Sequence, residues 1–224
     1  MAVSIGMVCE GSHDFNVLKR FISSIFSENG IELSDIDCLQ PQMSATFQTG
    51  TGGWSQVKMW CEADQGQYYR KFVDQPVFGS SKTYDIIIFH LDGDVVEHCN
   101  ETPLKNLDIG TMSIHDIVTS LKSAIEDHWL DVEGSHSHRI VTCVPVRHLE
   151  AWLLAGVDAN AQSPEDRALK DEFRNGAAKA FKGKPRQKYI KAANVAVRNL
   201  NWIRKLCYSF NVFESDVIAS AKAV

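Results

Sequence analysis

Tyr84–Asp94 reads YDIIIFHLDGD, and the fold follows from this stretch. From Tyr84 to Leu91 it is a near-continuous apolar run. Such a run suits a central strand of a parallel sheet, which is covered on both faces. It stops at Asp92-Gly93-Asp94, a common turn sequence. Upstream, Ala2–Cys9 (AVSIGMVC) reads as a second buried strand, ending at Glu10-Gly11-Ser12. Ser12 suits a helix cap and Asp14 the first turn, where a carboxylate meets the positive helix end. Phe15, Leu18, Phe21, Ile22, Ile25 and Phe26 then recur at helical spacing until Asn29-Gly30.

Downstream, Ser113-x-x-Asp116 resembles a capping box. Ile114, Ile117, Leu121, Ile125 and Trp129 continue it as a helix. Arg139–Val146 (RIVTCVPV) is a further buried strand, and Leu149–Leu154 opens a short helix rich in Trp and Leu. A weaker strand falls at Ile36–Leu39. Residues 44–54 read as a Gly/Ser/Thr loop, in which Gly50–Gly53 is a flexible part able to order on substrate, and residues 55–73 as a helix of poor periodicity. Tyr189, Ala193, Ala196, Leu200, Ile203 and Cys207 mark an amphipathic helix. Strands alternating with helices imply a mostly parallel sheet with right-handed crossovers. The division expected is an α/β core over 1–157 and a helical C-terminal extension over 158–224, packed on the core.

The 224 residues are enough for one medium α/β domain, or one with an appendage. Hydrophobic content of 44% and charged content of 23% exclude disorder as the main state. A net charge of −5 argues against coating nucleic acid through bulk positive charge. It leaves room for an enzyme that cuts nucleic acid with metal-bound carboxylates. No apolar run reaches the roughly 18 residues of a membrane span, and the N-terminus lacks a signal pattern. Six scattered cysteines match no zinc spacing and read as free thiols. A cytoplasmic location with no membrane association is expected.

In open parallel sheets, ligands bind at the carboxyl ends of the strands. Glu10 follows the first strand, Asp92 and Asp94 follow the central one, and Glu150 comes soon after Arg139–Val146. If these strands are neighbours, four carboxylates share one rim. Like charges that close repel unless a cation sits among them, and hard oxygen donors suit Mg²⁺ or Mn²⁺. Each acidic residue taken singly also reads as a solvated loop or helix cap. The combination of Glu-Gly-Ser-x-Asp on one strand with Asp-x-Asp on the strongest favours the metal site.

Val8-Cys9-Glu10-Gly11-Ser12-His13-Asp14, running on to Leu18, resembles the first motif of the Toprim domain. Ile86–Asp94 resembles its second, an Asp-x-Asp after a hydrophobic strand. Pro145–Ala155 (PVRHLEAWLLA) is similar to the hallmark of a Toprim-like subfamily related to the overcoming-lysogenization-defect (OLD) nucleases. A later Lys-Pro element is matched by Lys182-Gly183-Lys184-Pro185. The resemblance spans about residues 3–190 and implies a Toprim-like three-layer α/β sandwich. It implies Mg²⁺- or Mn²⁺-dependent phosphodiester hydrolysis of DNA or RNA, as effector of a prokaryotic anti-phage defence system. Glu10 would be a ligand or the general base, and Asp14, Asp92, Asp94 and Glu150 would be ligands or their supports. Lys184 or Lys188 would neutralise the phosphate.

Two features depart from the pattern. Gly156 stands where an Asp often follows the Leu-Leu-Ala, with Asp158 two residues on. No GxxxxGK[ST] sequence is present, so any ATPase would be a separate protein.

Outside the motifs, Lys179, Lys182, Lys184, Arg186, Lys188 and Lys191 form the strongest basic run, with Phe181 and Tyr189 interleaved. They read as a phosphate-backbone track or as a solvated face. His13 and His148 lie at strand–helix junctions on the acidic rim, placed to contact phosphate. His90 precedes Asp92 inside the central strand, facing core or site. His136 and His138 read as a surface turn. A different-class alternative is a non-catalytic Toprim-like subunit binding nucleic acid or a partner protein. A lesser one is a haloacid-dehalogenase-like phosphatase, with Asp92 as nucleophile.

Overall fold

The computed structural model describes residues 2–41, 53–74, 82–158, 160–166 and 170–224. Most of the loop expected over 44–54, up to residue 52, lies outside the described residues. Four strands form the sheet: β1 (Val3–Val8), β2 (Leu33–Gln40), β3 (Ile86–His90) and β4 (Ile140–Cys143). Their order is β2-β1-β3-β4, and every pairing is parallel. The helices are α1 (Ser12–Glu28), α2 (Trp54–Glu62), α3 (Arg70–Val73), α4 (Ile114–Ser123), α5 (Glu150–Val157), α6 (Lys170–Asn175), α7 (Pro185–Ala196), α8 (Leu200–Leu206) and α9 (Tyr208–Ala223).

Strand alternation sorts the apolar residues into two layers. Val3, Ile5 and Met7 of β1, Ile86 and Ile88 of β3, and Val141 and Cys143 of β4 pack with α1, α5 and α7 to α9. Val8, Ile87, Phe89 and Ile140 face the other way and pack with α2 and α4. The result is a three-layer α/β sandwich, as expected from buried strands without polar alternation. The C-terminal helices share one apolar cluster with β1 and α1.

Several boundaries differ from the sequence reading. The capping position of α1 is Gly11, and Ser12 is already helical. Ser113 does cap α4, accepting from the Asp116 N–H at 3.1 Å. The span 55–73 is broken at Asp64, Gln65 and Gly66, all at positive φ. A side chain at Gly66 would crowd the Asp131 backbone, so close approach rather than periodicity sets that break. The strand expected to reach Val146 stops at Cys143. The helix expected from Tyr189 to Cys207 is interrupted at 197–199. There Asn199 Nδ2 donates to the Gly156 carbonyl at 2.8 Å, tying the break to α5.

Trp152 of α5 is fully buried among Phe21, Phe210 and Phe213. Its Nε1 donates to Ser209 Oγ at 2.9 Å, so both ring and polar edge are satisfied. Trp152→Ala empties this junction and is expected to cost about 3–5 kcal/mol in urea denaturation. A loss below about 1 kcal/mol would show that the extension does not depend on it.

Candidate metal centre

The chain leaves β1 through α1 to reach β2 on one side, then crosses to β3 on the other. The switch point of the topology therefore falls between β1 and β3, where doubly wound sheets open a crevice. In the register Val8 pairs with Phe89, so Glu10 and Asp92 leave the sheet side by side. Glu10 Oε1 accepts the Asp92 backbone N–H at 2.6 Å. Asp92 Oδ1 accepts the Leu149 N–H at 3.0 Å.

Gly93 lies against the segment that follows β4. Its N–H donates to the Pro145 carbonyl at 3.0 Å, and the Asp94 N–H to the Arg147 carbonyl at 3.2 Å. A Cβ on Gly93 would overlap the Val146 carbonyl, so the Asp-Gly-Asp turn needs glycine for this close approach. That stitching brings His148 to the aspartates. His148 Nδ1 is 3.4 Å from Asp94 Oδ2 and 3.7 Å from Asp92 Oδ2. Ligand atoms of Asp92, Asp94 and His148 lie within 4.8 Å of one another, a group compact enough for one metal ion. Among the described residues it is the only group of its kind.

Glu10, Asp14, Asp92 and Glu150 line a cavity of about 210 Å³. The expected strand-end carboxylates thus do converge. Their roles divide. The compact ligand group contains His148, expected as a phosphate contact, in place of Glu10, Asp14 and Glu150. Glu150 Oε1 accepts the Tyr189 hydroxyl at 2.5 Å, which makes it an anchor for α7. His90 is fully buried, with Nε2 3.4 Å from Asp92 Oδ1. At that separation it is an ion-pair neighbour, and neither ring nitrogen has a well-formed hydrogen bond.

Lys184, expected to neutralise phosphate, is exposed at the start of α7 and lies outside this cavity's lining, as does Lys182. The lysine over the carboxylates is Lys170, whose Nζ is 3.8 Å from Asp92 Oδ2 and 3.9 Å from Asp94 Oδ2. Nothing in the sequence marks Lys170 out from the neighbouring lysines. It arrives because α6 packs against α5.

Burial pushes Glu10 up to about 8, with the Asp92 charge adding to it. Burial likewise pushes Asp14 up to about 7, with Asp92 and Glu150 adding. Burial also raises Asp94, again helped by Asp92. For Asp92, burial favours the protonated form, but the His148 and His90 imidazoles and Lys170 outweigh it and hold the carboxyl below its usual range. His90 is the mirror case: burial disfavours its charge, yet Asp92, Asp14 and Glu10 raise it to about 9.

The residues fit a divalent cation. Crowded carboxylates take up protons when no cation compensates them. The buried His148 Nδ1 has no hydrogen-bond partner. Two carboxylates and an imidazole form a donor set that divalent transition ions accept. No family model, curated protein or solved structure matches this chain.

Glu10, Asp14 and His90 each bind protons more tightly in the folded chain, at about 8, 7 and 9 against ordinary values of 4.5, 3.8 and 6.5. Folding therefore takes up protons across that window, and stability falls as pH rises through it. The Asp92 contribution runs the other way and is lost only in acid. In EDTA, these three groups are expected to lower the melting temperature progressively between about pH 4 and pH 9. Glu10→Gln should flatten part of that slope, and saturating Mn²⁺ should remove most of it. A metal-free profile that is flat or rising would contradict this charge balance.

Proposed function

We propose that the chain is a metal-dependent phosphodiesterase acting on nucleic acid, a nuclease of the Toprim-like kind that its motifs resemble. The observation that carries this reading is the convergence of Glu10, Asp92, Asp94 and His148 at the switch point between β1 and β3. Asp92, Asp94 and His148 would hold the ion. A bound divalent cation supplies charge neutralisation at phosphate and a water of lowered pKa. With an imidazole in the set, Mn²⁺ fits at least as well as Mg²⁺.

The remaining groups have roles that their positions support. Glu10 is pinned through Oε1, which leaves Oε2 to accept a proton from an attacking water. Its raised proton affinity suits a general base near neutral pH. Lys170 is placed to offset charge that builds on the phosphoryl oxygens. His90 sits beneath Asp92 and keeps that carboxylate ionised. An ATPase partner and a defence role would extend the same resemblance.

Incubation with supercoiled plasmid, single-stranded DNA and RNA, each with Mg²⁺ or Mn²⁺, tests the proposal. Cleavage is expected, and Asp92→Asn should bring it to background. Lys170→Ala should slow it by roughly 10²–10³-fold, the usual effect of removing one charge-stabilising group. Metal binding without cleavage of any substrate would return the chain to the non-catalytic reading. Phosphate release from small monoesters, blocked at Asp92, would favour the phosphatase.

A further inference from the structure

A second cavity, of about 400 Å³, adjoins the one lined by Glu10, Asp14, Asp92 and Glu150. His13, Arg174 and Tyr189 line both, and Ala178, Pro185 and Lys188 complete the second. The shared wall is rigid for definite reasons. Tyr189 donates its hydroxyl to Glu150 at 2.5 Å and accepts from Arg174 Nε at 3.3 Å. Buried Phe173 meets its ring edge-on, with centroids 5.3 Å apart. His13 then stacks on Tyr189, with centroids 5.4 Å apart and planes 20° off parallel.

His13 is half-buried, and its Nδ1 is buried without a hydrogen-bond partner. Burial, reinforced by Arg186 and Arg174, lowers its pKa below the usual imidazole range. The ring presents a flat aromatic surface, backed by the Tyr189 ring. Arg174, Arg186 and Lys188 supply positive charge on this side of the ring, and the Glu150 carboxylate lies behind Tyr189. Among the described residues, neither Lys188 nor Arg186 is ion-paired with a carboxylate. Lys179, Lys182 and Lys184 from the same basic run face solvent, whereas Lys188 turns onto the cavity.

A flat ring alone would accept many apolar ligands, and cations alone would accept any anion. A nucleotide presents both a planar base and a phosphate. The volume falls within the roughly 300–1,000 Å³ of small-ligand cavities. Bases paired inside a duplex cannot leave their stack cheaply, whereas single-stranded bases stack readily on aromatic side chains. We propose that this second cavity seats one nucleotide of a single-stranded nucleic acid, its base against His13 and its phosphate at Lys188 and Arg174. The proposal rests on the nuclease reading, for which it names the substrate form.

Anisotropy of a fluorescent single strand of roughly ten nucleotides, measured in EDTA, tests it without hydrolysis. AMP and UMP are expected to displace the strand, while the same concentration of inorganic phosphate is not. A duplex of the same sequence should bind at least about tenfold more weakly. His13→Ala and Lys188→Ala should each weaken binding by about tenfold, with His13→Phe restoring it through the ring alone. Phosphate competing as well as nucleotides would overturn the proposal, as would equal binding of duplex. So would unchanged binding by folded His13→Ala, or mononucleotides binding while the strand does not. If His13→Ala fails to fold, the competition with phosphate and duplex still decides. Cleavage is read separately with metal, so either result can fail while the other stands.

Discussion

The hydrogen bond from the Asp92 backbone to the Glu10 carboxylate is the constraint around which the molecule is arranged. It can form only because β1 and β3 are adjacent and parallel, so two segments more than eighty residues apart end at the same height. That pairing in turn requires strands apolar on both sides, since helical layers cover both faces. The C-terminal helices close one of those layers. They also deliver Lys170, Arg174 and Tyr189 to the crevice. Core packing and site assembly are thus one event in this fold.

Gathering Glu10, Asp14, Asp92, Asp94 and Glu150 at one rim is electrostatically unfavourable in isolation. Desolvation and mutual repulsion both disfavour their ionised forms. The chain offsets this with groups from three different elements: His90 from β3, His148 from the loop after β4, and Lys170 from α6. Asp92 receives most of that compensation and stays ionised, while Glu10 and Asp14 are left with high proton affinity. One rim therefore presents a fixed anion beside proton acceptors, the asymmetry that metal binding and acid–base chemistry need.

Much of this was legible in the residues. The runs at Val3–Val8 and Ile86–His90 announced buried strands, and the carboxylates after them announced a rim. Other features left no local trace. His148 could be placed on the rim, but its approach to Asp94 depends on Gly93 tolerating the Val146 carbonyl. Lys170 looked like any other lysine, and Lys184 occupied the more suggestive position in sequence. The break at 197–199 reflects Asn199 bonding to Gly156, a partner on another helix that periodicity cannot reveal.

The sequence by itself determined the α/β class, the parallel character of the central strands and the identity of the acidic residues at their ends. These depend on local patterns: apolar runs, helical spacing and turn residues. Only the tertiary structure decided strand order, which histidine joins the aspartates, which lysine balances them, and that His13 and Tyr189 stack beside a second cavity. Those facts belong to pairs of residues distant in the chain. Close packing of helices on a twisted sheet selects such pairs, and no single segment encodes them.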